Sequence, residues 1–84
     1  LVKDVSSMVQ HELIIASNIG DGYKRIFYVP LDLKGIDYSI QIIDITLWTY
    51  SDEYETVLNV PSVVGSIQKG NNTIVKNGGV IYLN

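Results

Sequence analysis

The hydrophobic pattern of this chain changes its period at Gly20-Asp21-Gly22-Tyr23, and that change constrains the possible folds more than any other feature. Upstream, Leu1, Val2, Val5, Met8, Val9, Leu13 and Ala16 recur three and four positions apart, while Lys3, Asp4, Ser7, Gln10 and His11 take the other side. This is the apolar stripe of an amphipathic helix. Asn18 and Gly20, residues that tolerate a left-handed backbone, are read as its stop. Downstream, turn residues recur at intervals of about ten, the spacing of short antiparallel strands. A helix stripe and one-sided strands must cover each other. The sequence therefore predicts an α+β fold: an N-terminal amphipathic helix packed through Val5, Val9, Leu13 and Ala16 on a small antiparallel sheet, with closure into a small β-sandwich as a variant. One domain spans 1–84, with the helix in 1–18 and a β-rich body in 19–84.

The strands read as follows. Tyr23 to Val29 is stopped by Pro30, which has no N–H for a ladder. Asp37 to Ile43 alternates Tyr38, Ile40 and Ile42 against Ser39 and Gln41, and the apolar phase then slips by one to Ile43, Ile45 and Leu47. A one-residue slip turns over every later side chain, which predicts a bulge or sharp bend near Ile43-Asp44. Ile45 to Tyr50 and Glu53 to Val60 follow, with Tyr54, Thr56, Leu58 and Val60 on one side, and Pro61 ends the run. Ser62 to Ile67 crosses to a hairpin of Asn72 to Lys76 and Val80 to Leu83, joined by Asn77-Gly78-Gly79, a strong hairpin signal. The second, third and terminal strands are expected together in the sheet beneath the helix.

Composition limits what such a fold can do. With 84 residues, 46% of them hydrophobic, the chain sits near the lower size at which one core suffices. It has no cysteine, so disulfides, thiolate metal sites and cysteine nucleophiles are excluded. The net charge is −3 and the six basic residues are scattered, which argues against nucleic-acid binding. No apolar run approaches the ~20 residues of a membrane span. Leu1 enters the helical pattern without a methionine or a cap, which is read as the trace of a removed upstream segment; any membrane attachment is expected only through that segment.

No residue pattern carries catalysis or a cofactor. His11, the single histidine, lies on the polar side of the helix beside Glu12, and neighbours at that spacing do not face each other. Asp52-Glu53-Glu55 lacks the glycine of a calcium loop, and carboxylate catalysis needs a cleft that a domain this small is not expected to offer. These acids read as solvated charges discouraging edge pairing. Gly20-Asp21-Gly22 runs from helix into strand, the reverse of a phosphate loop, and reads as a connector. Six tyrosines and Trp48 read first as cross-strand partners, and otherwise as an aromatic platform for sugars or a protein. Catalytic, cofactor and metal residues are therefore expected to be none. Asn71-Asn72-Thr73 is an N-glycosylation acceptor pattern, with Asn71 expected to be exposed before the last hairpin.

The segments GDGYKRIFYVPLDLKGIDYSIQI, VLNVPSVVGSIQKGNNTI and NGGVIYLN, covering most of Gly20 to Asn84, resemble small exported archaeal proteins of the type IV pilin-like group, made with a class III signal peptide. The resemblance implies a β-rich extracellular head behind a hydrophobic N-terminal helix, acting in surface filament assembly or adhesion, with other filament or surface subunits as partners. The peptidase recognition site and the fully apolar helix that define the group are not in this sequence, so 1–17 would be the lower end of a longer helix. No individual site residue carries over. The alternative is a small carbohydrate- or protein-binding module on an exposed aromatic sheet face; a small hydrolase ranks last.

Overall fold

The computed structural model describes residues 1–84 as one helix and seven strands. Helix α1 (Val2–Asn18) is followed by β1 (Lys24–Val29), β2 (Ser39–Ile43), β3 (Thr46–Tyr50), β4 (Glu55–Asn59), β5 (Val63–Gly65), β6 (Gly70–Asn77) and β7 (Val80–Leu83). The fold is α+β. Its strands divide into two sheets, β2-β3-β4 and β1-β6-β7-β5, so the second and third strands do not share a sheet with the terminal one. The reason lies in the connections: β2, β3 and β4 are consecutive hairpins, whereas β7 is tied to β6 by its own hairpin and lies parallel to β5 on its other side. The four-stranded sheet is thus mixed rather than antiparallel.

One core joins the helix to both sheets. Val2, Val5, Val9, Leu13 and Ala16 are buried with Phe27 and Val29 of β1, Leu47 of β3, Ile74 of β6, and Ile81 and Leu83 of β7. Leu13, Leu47, Ile74 and Leu83 are wholly buried, and a Leu or Ile contributes about 1.5–3 kcal/mol when fully buried. Arg25, on the inward face of β1 with Phe27 and Val29, reaches the helix and meets Glu12 at 3.1 Å through both Nε and Nη2.

The phase slip at Ile43 is a chain reversal, not a bulge within a continuing strand. Ile43 pairs with Thr46, leaving Asp44 and Ile45 as a two-residue turn with Asp44 at φ 57. Residues paired across such a turn share a face although their numbers differ in parity. Ile42 and Leu47 accordingly point to the core, while Ile43 points out.

The terminal hairpin turns on Gly78 and Gly79 alone, with Asn77 and Val80 as its closing pair. Both glycines have positive φ (59 and 76), the signature of a type I′ turn. Their amides donate to Asp21 at 2.9 Å each. The Gly-Asp-Gly connector is therefore more than a link between elements, because its carboxylate holds the turn of the last hairpin.

The helix does not stop through a left-handed residue. Ile19 is extended at φ −103, and Gly20 is not among the positive-φ glycines. Lys76 of β6 supplies the missing donors instead: its buried ammonium donates to the carbonyls of Ala16 and Ser17, each at 3.0 Å. No basic residue stands in the helix's own last turn.

Candidate functional site

The core accounts for one face of each sheet, and the opposite faces carry the residues left for function. On β3, Leu47 and Thr49 are fully buried, so Thr46, Trp48 and Tyr50 point outward. Register places Gln41 and Val57 on either side of Trp48, and Ser39 and Glu55 on either side of Tyr50. The Trp48 and Tyr50 rings lie 4.4 Å apart between centroids at 31°, and the indole Nε1 donates to Glu55 Oε2 at 2.8 Å. Offset aromatic pairs of this kind add about 0.5–1.5 kcal/mol beyond area burial. Ile43 and Val57 flank them, each 57% exposed. The result is an aromatic ledge held rigid by one carboxylate, with amide and hydroxyl groups of Gln41 and Ser39 along its rim.

The four-stranded sheet presents a second outer face. Lys24, Val75, Tyr82 and Val64 form one row across all four strands, with Ile26 and Tyr28 further along β1. Ile26, Tyr28, Val64 and Tyr82 are exposed, and Lys24 is the single charge in the row. Isolated exposed apolar residues are ordinary, but contiguous ones mark interaction surfaces. Of the aromatics expected as cross-strand partners, Tyr38 is buried, Tyr23, Trp48 and Tyr50 are half-buried, and Tyr28, Tyr54 and Tyr82 are exposed.

Tyr38 is held by its hydroxyl, which donates to the carbonyl of Pro30, and its ring lies 4.4 Å beneath the Lys69 ammonium. Burial pushes its pKa up to about 12, helped by Tyr28 and Asp32. Lys69 also donates to Asp37 Oδ1 at 2.9 Å, and that hydrogen bond lowers the pKa of Asp37. These contacts fix the connector before β2 against the loop before β6.

His11 is exposed, and Glu12 beside it is committed to Arg25. Asp52 and Glu53 sit exposed in the β3–β4 turn, while Glu55 is bound to Trp48. No three His, Cys, Asp or Glu side chains gather closely enough to hold a metal ion. A cleft is present where the chain length argued against one: about 330 Å³ between the start of α1 and the β3–β4 turn, lined by Val2, Leu33, Ile36, Tyr54, Glu55 and Thr56. A smaller depression of about 200 Å³ beside it takes in Asp52 and Glu53. The larger cleft holds one carboxylate and no histidine, an apolar recess rather than an acid–base pair.

Asn71 is exposed on the outer face of β6, opposite Tyr28, inside a strand rather than in a turn. Its neighbour Asn72 is fully buried. The Asn72 amide donates to the carbonyls of Gln68 and Gly70, and its oxygen accepts from Gln68 N and Asn84 Nδ2. Asn84 in turn donates to Ser66 O and accepts from Thr73 N, closing a polar network that sequence reasoning missed, as it missed Lys76. No helix is long and apolar enough to cross a membrane. Comparison with known proteins adds no identity: no family model, curated protein or solved structure matches the chain.

Proposed function

We propose that this chain is a non-catalytic interaction module, the extracellular head of a surface subunit that assembles with other surface or filament subunits. The observation that carries the reading is the pair of apolar outer faces: exposed Ile43 and Val57 beside half-buried Trp48 and Tyr50 on one sheet, and exposed Ile26, Tyr28, Val64 and Tyr82 on the other. A free monomer gains nothing from two such faces, whereas a subunit packed among neighbours buries both. The resemblance to exported pilin-like proteins supplies the surface setting. Asn71, the candidate glycan acceptor, is exposed on the same outer face opposite Tyr28, so a glycan there would compete with burial of that face against a neighbour.

The test is replacement of one residue on each face, Val57→Lys and Tyr82→Lys, in the native host. Loss of a surface filament or of adhesion, with the far-ultraviolet spectrum of the purified variants unchanged, is the expected result. Unaltered filaments and adhesion in both variants would overturn the reading.

A second reading has its own support. The Trp48-Tyr50 ledge, rimmed by Gln41, Ser39 and Glu55, has the stacking surface and hydrogen-bonding groups with which proteins hold a pyranose ring. Trp48 is the single tryptophan, so its emission reports directly on that ledge. A saturable emission change with a soluble oligosaccharide, abolished in Tyr50→Ala, would favour the sugar-binding module.

A further inference from the structure

Four strands form the edges of the two sheets, and three of them are protected. β1 carries Lys24 and Arg25 and stops at Pro30. β5 is three residues long. β4 carries Glu55, and its outward Asn59 carbonyl accepts from Gln10 of the helix at 2.9 Å. These are the devices by which proteins keep sheet edges from pairing: charge, shortness and cover. β2, Ser39-Ile40-Gln41-Ile42-Ile43, has none of them; its five residues carry no charge and no proline.

The hydrogen-bond pattern shows which groups face out. Ser51 N donates to Tyr54 O and Val60 N to Ile45 O, so residues 45, 47, 49 and 51 bond toward β4. Thr46, Trp48 and Tyr50 therefore bond toward β2, to Ile43, Gln41 and Ser39. This leaves the N–H and C=O of Ile40 and Ile42 pointing away from the sheet, and β3 is the only strand beside β2. The Ile40 and Ile42 side chains pack against the core yet remain partly exposed.

We propose that the occupant of this edge is β2 of a second copy, paired antiparallel about a two-fold axis at Gln41. The sequence Ile40-Gln41-Ile42 is symmetric about that residue, and in this register Ile40 of each copy lies opposite Ile42 of the other. Both outward N–H and both outward C=O groups of each copy are then satisfied, in four backbone hydrogen bonds. The isoleucines extend the core layer across the junction as a β-branched cross-strand pair. The two Gln41 side chains meet on the outer face. Pairing ends at two copies because the new outer edges are the protected β4 strands, giving one six-stranded sheet. The proposal stands on the edge geometry and does not depend on the surface-subunit reading.

Gln41 would form a non-hydrogen-bonded pair with its copy, with Cα atoms about 4.5 Å apart, a separation a disulfide spans. The chain has no cysteine of its own. Gln41→Cys should give a disulfide-linked dimer on mild oxidation, while Asp52→Cys, exposed in the β3–β4 turn and outside both apolar faces, stays monomeric under identical conditions. Ile42→Pro deletes an outward N–H at an edge, where proline is tolerated, without removing a β2–β3 bond. Sedimentation should show concentration-dependent dimers for the native chain and at least tenfold weaker association for Ile42→Pro. Cross-linking of Gln41→Cys no faster than that of Asp52→Cys, or undiminished when Ile42→Pro is added, would overturn the pairing. A failed cross-link alongside lost filaments in Val57→Lys and Tyr82→Lys would reject the edge dimer and leave the assembly reading intact.

Discussion

Replacing Lys76 by methionine tests the most consequential long-range contact in the fold. Lys76 is 8% exposed, and its ammonium bonds the carbonyls of Ala16 and Ser17 at 3.0 Å each, 60 and 59 residues away in sequence. Methionine keeps the stem and its packing but removes the donor. A hydrogen bond to a charged group contributes about 1.5–3 kcal/mol. The favourable interaction with the helix C-terminus, about 2 kcal/mol at most, is counted largely within those bonds and is not added to them. Against the sum stands the cost of burying an ammonium, which methionine avoids, so the net loss should be about 2 kcal/mol. For a domain of this size that corresponds to a fall in Tm of about 10 °C. Thermal and urea unfolding followed by circular dichroism measure it, with the urea m-value unchanged. Hydrogen exchange should accelerate first in the last turn of α1, where the carbonyls lose their cap. Lys24→Met, on the exposed face of β1, should stay within about 0.5 kcal/mol of the native chain. A Lys76→Met variant as stable as that control would refute the argument that β6 caps the helix.

Three further outcomes follow from particular contacts. The Thr49 hydroxyl is buried without a hydrogen-bond partner, so Thr49→Val should stabilise the fold by about 1 kcal/mol in urea titrations, and a loss of stability would contradict it. Asp21→Ala removes the acceptor for the Gly78 and Gly79 amides and should cost about 1–2 kcal/mol, with faster exchange of those two amides; unchanged exchange would count against the clamp. Tyr38, with its pKa pushed up to about 12, stays protonated in the folded chain between pH 10 and 12 while the unfolded chain ionises, so its contribution is complete below pH 10 and is lost as pH rises through that interval. Tyr38→Phe should flatten that part of the stability profile, and an unaltered slope would show that Tyr38 is not its source.

What the sequence made legible were features with local causes. The three-four spacing of Val5, Val9, Leu13 and Ala16 marks a buried helix stripe because period is a property of one element. Gly78 and Gly79 mark a type I′ turn because few residues accept positive φ at both positions. The slip at Ile43 is visible too, but a bulge and a two-residue reversal leave the same shift of parity in the sequence. What stayed hidden depends on partners far away. Lys76 reads as an ordinary polar residue in a strand until the helix end lies against it, and Asn72 reads as part of a glycan pattern until Gln68 and Asn84 surround its amide. The division into two sheets was illegible for the same reason: β5 carries no signal that it will lie parallel to β7. At the candidate site, the aromatic residues were identifiable, but their side of the sheet was set by a register that only pairing reveals.

The separation of the strands into two sheets also sets an order in time. In β2-β3-β4 every pairing is closed by a short turn, Ile43 with Thr46 and Tyr50 with Glu55, whereas β1 must find β6 across the chain, Lys24 with Val75 and Val29 with Gly70. Each doubling of a closed loop adds about 0.6 kcal/mol of entropic cost, so the second closure starts roughly 2 kcal/mol or more behind the first. The three-stranded meander, with the helix laid over it, is the region where the folding nucleus belongs, and the β1–β6 ladder closes late, after the transition state. Substitutions such as Leu47→Ala should therefore slow folding, while Ile74→Ala should act chiefly by speeding unfolding.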